Sequence, residues 1–184
     1  MSQPRVVAAT RRTIIAVPSR FGTMDANEAR AFAIERHGDQ RYGGEPYEVH
    51  LTEAAAVLAR FGVDDADLAV AVWLHDVVED TDTTLDEVEA RFGLRVRDLV
   101  GAVTVEPGDT RAESFAATYP KLRGVPGAVT LKLADRIANV ERGGPKRAMY
   151  LDEHARFRAA LHEPGEADAM WEHLDRTVHA PSGP

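Results

Sequence analysis

The chain has 184 residues, 44% hydrophobic and 28% charged, with a formal net charge of −8, and it fits one globular domain with a real core. It contains no cysteine, which excludes a disulfide scaffold and thiolate metal ligands. The acidic balance speaks against a general nucleic-acid binder, though not against a small phosphorylated ligand held by a metal ion or a few local arginines.

Residues 1–24 are locally basic (Arg5, Arg11, Arg12, Arg20) and read as a tail. Their apolar stretch, Ile14 to Val17, is too short for a signal-peptide core and stops at Pro18. No segment approaches the roughly 18 apolar residues of a membrane span, so the expected location is cytoplasmic, with no membrane and no nucleic-acid partner. Asp25-Ala26-Asn27-Glu28 has capping-box spacing and opens a helix that Gly38 ends. Asp39 to Glu48 holds Gly43, Gly44 and Pro46 and reads as a loop leading to His50. Thr52 to Phe61 is an alanine-rich helix closed by Gly62. Asp64-Asp65 lead into a helix running through Leu68, Val72, His75 and Glu79. Thr84-Leu85-Asp86-Glu87 is a full capping box for a helix ending at Phe92-Gly93, and a further helix spans about 95–103.

The segment between the breaks at 106–109 and 124–127 predicts a short helix stopped at Pro120. Residues 128–142 form a helix with Leu133, Ile137 and Val140 on an apolar face and Lys132, Asp135, Arg136 and Asn139 on a polar track, ended by Gly143-Gly144-Pro145. Two helices remain, at about 146–162 and 167–178. In the second, Ala167, Met170, Trp171, Leu174 and Val178 recur at packing intervals. With no useful β-alternation, internal repeat or linker after residue 25, the expected architecture is all-α. It is an orthogonal helical bundle in a single domain, 25–179, followed by a tail of 180–184.

His50, the adjacent His75-Asp76 and Asp135 carry the chemistry. Two imidazoles and two carboxylates, brought together, make a mixed nitrogen/oxygen site for a catalytic divalent metal. Glu79 and Asp80 lie one helical turn beyond His75 and Asp76, where an acidic pair can handle the proton of an attacking water. A histidine beside Trp73 and Leu74 could be a satisfied core residue, but three carboxylates on the same apolar helix are costly without a cation. Asp135 and Asn139 are fixed polar points of an otherwise apolar helix. Arg41 can clamp a phosphate or stack on a base, or be a surface arginine of a glycine-rich loop. His37 reads as a structural hydrogen-bonder, and His154, His162, His173 and His179 as surface residues.

Arg41-Tyr42-Gly43-Gly44-Glu45-Pro46-Tyr47-Glu48-Val49-His50, Leu74-His75-Asp76-Val77-Val78-Glu79-Asp80-Thr81 and Lys132-Leu133-Ala134-Asp135-Arg136 together resemble the HD hydrolase domain of Rel/SpoT-type alarmone enzymes, and most of all the stand-alone small alarmone hydrolases. The resemblance implies an HD-superfamily fold, one manganese ion, and removal of the 3′-pyrophosphate of guanosine tetra- or pentaphosphate. It implies that His50, His75, Asp76 and Asp135 hold the metal, that Glu79 and Asp80 are the catalytic acids, and that Arg41 and Asn139 contact the nucleotide. Three positions depart from the family pattern: Tyr42 in place of a basic residue, Ala138 in place of a histidine or tyrosine, and Arg142 in place of a threonine. They leave two alternatives open. One is a phosphohydrolase acting on another 2′- or 3′-phosphorylated nucleotide such as NADPH or an adenosine alarmone; the other is a catalytically silent nucleotide-binding module. Protein partners are not legible in the sequence.

Overall fold

The computed structural model describes residues 26–179. The basic tail, the Asp25 cap and residues 180–184 lie outside the described residues. In chain order the elements are α1 (Ala26–His37), β1 (Arg41–Tyr42), β2 (Glu45–Pro46), α2 (Glu48–Arg60), α3 (Ala66–Leu74), α4 (Val77–Asp80), α5 (Leu85–Phe92), α6 (Leu94–Val103), α7 (Arg111–Gly124), α8 (Ala128–Arg142), α9 (Pro145–Leu161) and α10 (Asp168–His179). Among the described residues the bundle is all-α but for one small antiparallel hairpin. No described helix is long and apolar enough to cross a membrane.

α8 is the axis of the bundle and packs against α2, α3, α6, α7, α9 and α10. Leu131, Leu133 and Ile137 are fully buried there, each burial stabilising the fold by roughly 1.5–3 kcal/mol. Because neighbours cover α8 on all sides, its expected polar track is interior: Lys132, Asp135, Arg136 and Asn139 are all buried. Each therefore needs a partner. Arg136 finds one by lying over the rings of Tyr150 (4.9 Å) and Phe157 (4.2 Å) and donating to the Tyr150 carbonyl at 2.8 Å. The stripe on α10 packs as its spacing predicts, with Met170, Trp171, Leu174 and Val178 buried.

Several elements differ from the sequence expectation. The loop before His50 holds a hairpin pairing Arg41 with Pro46 and Tyr42 with Glu45, its turn allowed by Gly43 at φ +64°. α2 starts at Glu48, so His50 sits in its first turn rather than ahead of it. The helix expected to run continuously through His75 breaks there, α3 ending at Leu74 and α4 beginning at Val77. The α5 cap is half a capping box: Thr84 accepts from the Glu87 amide, while the Glu87 carboxylate pairs with Arg36 instead of returning to the cap. The complete box is Thr110 with Glu113. It opens α7, which continues past Pro120 to Gly124 because Ala116 and Pro120 both face solvent, where water can take the carbonyl that proline leaves unbonded. His154 is buried rather than superficial, bonded to Asp175 at 2.8 Å. His37 is structural as expected, bonded through Nδ1 to Gln40 and stacked on Tyr47 at 4.3 Å.

Candidate metal centre

Three regions of the chain meet here: His50 from the first turn of α2 and His75 and Asp76 from the break between α3 and α4 form one donor group, and Asp135 from the middle of α8 lies against its two histidines. At the break, Asp76 adopts φ −104°, ψ −4°, in the sparsely used bridge region, and its carbonyl accepts from the amides of Glu79 and Asp80 that start α4. Interrupting the helix there brings two consecutive side chains onto one target. Asp76 Oδ2 lies 3.1 Å from His75 Nε2 and 3.4 Å from His50 Nε2. The two imidazole Nε2 atoms face each other at 3.2 Å. Asp135 Oδ1 closes the group at 3.4 Å from His50 and 3.7 Å from His75.

The donor set suits a divalent cation. His75 Nδ1 contacts the Val72 carbonyl at 2.7 Å, and a carbonyl can only accept, so the proton is fixed on Nδ1 and the Nε2 lone pair faces the cluster. Nδ1 of His50 is buried without a hydrogen-bond partner among the described residues, so the polar contacts of that ring run through Nε2. Two neutral imidazoles facing each other at this distance repel through their lone pairs unless a cation or proton lies between them. Burial opposes charge on His50, but hydrogen bonds and charge from Asp135 and Asp76 prevail and raise its pKa to about 9. Burial likewise opposes ionisation of the two carboxylates, yet His75 and His50 hold Asp76, and Lys132 with both histidines holds Asp135, well below the usual carboxylate range. His50, His75 and Asp76 form a group whose donor atoms all lie within 4.8 Å of one another.

A ring of supporting side chains orients the donors. Tyr47 donates to Asp76 Oδ2 at 2.5 Å. Asn139 Nδ2 donates to Asp135 Oδ1 at 2.5 Å and to the Asp135 carbonyl at 2.9 Å, while its own Oδ1 accepts from Tyr42. Lys132 pairs with Asp135 Oδ2 at 2.9 Å. The sequence does not single out Tyr47 or Lys132 as site residues. Lys132 carries a signal, three residues before Asp135 on one helix; Tyr47, brought in by the hairpin, carries none.

A cleft of ≈ 540 Å³ opens over the cluster, bordered by His50, Asp76, Asp135 and Asn139 and walled by Glu79 and Asp80. Glu79 accepts from the Val105 amide at 2.6 Å and Asp80 from Gln40 at 2.8 Å. Desolvation at the cleft wall raises the Glu79 pKa, assisted by Asp76 and Asp135 and opposed by Lys132. Arg41 is not part of this cleft. It lines a neighbouring one of ≈ 1150 Å³, and Tyr42, Tyr47, Asp80 and Lys146 border both.

A family model described as HD domain matches residues 29–143. The chain is 39% identical over 122 residues to the guanosine-3′,5′-bis(diphosphate) 3′-pyrophosphohydrolase of Aquifex aeolicus, covering 64% of this chain and 17% of that protein. It is 41% identical over 118 residues to the Homo sapiens protein of the same name, MESH1, covering 61% of this chain and 66% of that one. The match thus spans less than two thirds of either relative's own length. A solved structure reported as "A metazoan ortholog of SpoT hydrolyzes ppGpp and plays a role in starvation responses" superimposes with a TM-score of 0.70 at 25% identity, over 83% of this chain and 92% of that one.

Proposed function

The chain belongs to the HD-domain family, and from that premise we propose that it is a metal-dependent hydrolase removing the 3′-pyrophosphate of guanosine tetra- or pentaphosphate to leave GDP or GTP. The observation that carries the hydrolytic part is the meeting of the His50 and His75 Nε2 atoms at 3.2 Å between two ionised carboxylates. The names of the relatives support the substrate. Residues 25–179 are assigned to the hydrolase domain.

His50, His75, Asp76 and Asp135 would hold one divalent ion, and two imidazoles beside two carboxylates suit manganese better than magnesium. When bound, that ion would supply Lewis-acid chemistry, neutralising phosphate charge and lowering the pKa of water from 15.7 toward roughly 7. Glu79, whose raised pKa brings proton exchange closer to neutrality, moves the proton of the attacking water. Asp80, held by Gln40, orients that water on the same wall. Lys146, on the border of both clefts, draws the anionic substrate in. Arg41 meets the base from the neighbouring cleft by stacking. Both Nδ2 protons of Asn139 are engaged by Asp135 and one Oδ1 lone pair by Tyr42, so its nucleotide contact uses the second Oδ1 lone pair while the amide orients Asp135.

Incubation with guanosine tetraphosphate and manganese, followed by ion-exchange separation of products, tests the assignment. The expected products are GDP and intact pyrophosphate, because attack falls on the phosphorus bonded to the ribose 3′ oxygen. Orthophosphate released from NADPH or another 2′- or 3′-phosphorylated nucleotide, with guanosine tetraphosphate untouched, would keep the hydrolase and replace the substrate.

A further inference from the structure

The neighbouring cleft is cationic in a chain of net charge −8. Its border carries Arg41, Arg142 and Lys146 against one carboxylate, Asp80. Asp80 is held by Gln40, and Arg142 is tied to Glu53 at 2.7 Å. Arg41 and Lys146 have no ion-pair partner among the described residues. The two cations from the α8–α9 side converge on one aromatic ring: the Arg142 guanidinium lies 5.1 Å and the Lys146 ammonium 4.9 Å from the centre of Tyr42. That ring is itself fixed, stacked on His50 at 4.7 Å and bonded through its hydroxyl to Asn139. Tyr42 thus stands as a rigid partition, with the donor cluster on one side and a pair of cations collected by its π-face on the other.

The cleft walls are glycines. Gly43, Gly143 and Gly144 have φ of +64°, +78° and +75°, and a Cβ at any of them, or at Gly44, would meet nothing within 4 Å. The walls therefore stand back from the cations and leave room for a group as wide as a phosphate.

We propose that Lys146 and Arg142, carried on the Tyr42 ring, form a second anion subsite that binds the 5′-diphosphate of the nucleotide whose 3′ end lies at the donor cluster. This rests on the guanosine-nucleotide function proposed above and names how that substrate is selected. A nucleotide phosphorylated at both ends of its ribose has two charged groups a few ångströms apart, and two adjoining clefts sharing Tyr42 and Lys146 match that division. Arg142 meets the anion while held by Glu53, and Lys146 supplies the unpaired charge. A nucleoside without the 5′-phosphates leaves Lys146 without an ionic partner and Arg142 with Glu53 alone.

Calorimetry of the manganese-loaded protein with GDP, guanosine and inorganic phosphate tests the subsite apart from turnover. GDP should bind at least about tenfold more tightly than guanosine, the gain expected of one charge-assisted contact. Lys146→Met and, separately, Arg142→Met should each remove most of that margin and change guanosine affinity less than about twofold, which also shows that the variants fold. In turnover, Lys146→Met should raise KM for guanosine tetraphosphate about tenfold with kcat little changed. No GDP margin in the wild type, or a margin intact in both variants, overturns the subsite. So does inorganic phosphate binding through Lys146 while GDP gains nothing over guanosine, since the cleft would then serve free phosphate. Failure of the wild type to hydrolyse guanosine tetraphosphate while the GDP margin stands would sink the function and spare the subsite.

Discussion

The hydrogen bond from His75 Nδ1 to the Val72 carbonyl sets which nitrogen faces the donor cluster, and so leaves the Nε2 lone pair of this histidine available to a metal ion. At Asp135 the control is finer: Lys132 takes Oδ2 and Asn139 steadies Oδ1, the atom that faces the imidazoles. Asp135→Asn keeps the shape but removes the charge, and metal content measured by atomic absorption should fall well below one ion per chain. Either variant leaves the Lys132 ammonium buried without the carboxylate it pairs with, so both Asp135→Asn and Asp135→Ala should lose stability, by about 3–5 kcal/mol for the alanine, which cannot accept even a neutral hydrogen bond. Glu79 lies on the wall and not in the donor set. Glu79→Gln should therefore keep its metal while turnover falls by about 10² to 10⁴. Near-wild-type turnover in that variant would make the carboxylate a mere acceptor for the Val105 amide.

At the scale of elements, α7 and α9 offer separate tests. Pro120 stands inside α7 on its solvent face, where an interior proline costs up to about 3 kcal/mol against alanine. Pro120→Ala restores the missing amide while giving the unfolded chain more freedom, which offsets about 0.4–1 kcal/mol. The net expectation is stabilisation of about 1–2 kcal/mol, read from the urea midpoint. A lower midpoint would mean that the proline's fixed φ shapes the packing of α7. In α9, burial pushes the His154 pKa below its ordinary value, against the opposing pull of Asp175. The unfolded chain, with a histidine pKa near 6.5, then binds this proton more readily than the fold does. The contribution of neutral His154 is complete above about pH 6.5 and is lost as pH falls through the lower folded value. His154→Gln should flatten the fall of Tm between about pH 7 and pH 5; an unchanged slope would assign that fall to other groups.

For the molecule as a whole, the donor cluster joins α2, the α3–α4 break and α8, segments separated by up to 85 positions from His50 to Asp135. An ion bound there crosslinks the bundle through its central helix. At a free manganese concentration about 100 times Kd, mass action adds about 2.7 kcal/mol, or roughly 5–10 °C in Tm for a domain of this size. A chelator should reverse the gain, and Asp135→Asn should show little of it; equal Tm with and without manganese in the wild type would argue that the donors hold no ion. The sequence by itself determined most of the helices, because capping residues, glycine stops and apolar spacing are local signals that packing reinforced. It also named the polar residues available for chemistry, His50, His75-Asp76 and Asp135, whose burial calls for charged or hydrogen-bonded partners. Only the tertiary structure decided how those groups are used. The break at His75-Asp76, the entry of Tyr42 and Tyr47 through a two-residue hairpin, and the burial of every polar side chain on α8's track all depend on neighbours distant along the chain. No short-range periodicity records them. For the same reason Arg41, grouped with the site by sequence, stands in a separate cleft, which the hairpin borders together with Gly143, Gly144 and Lys146.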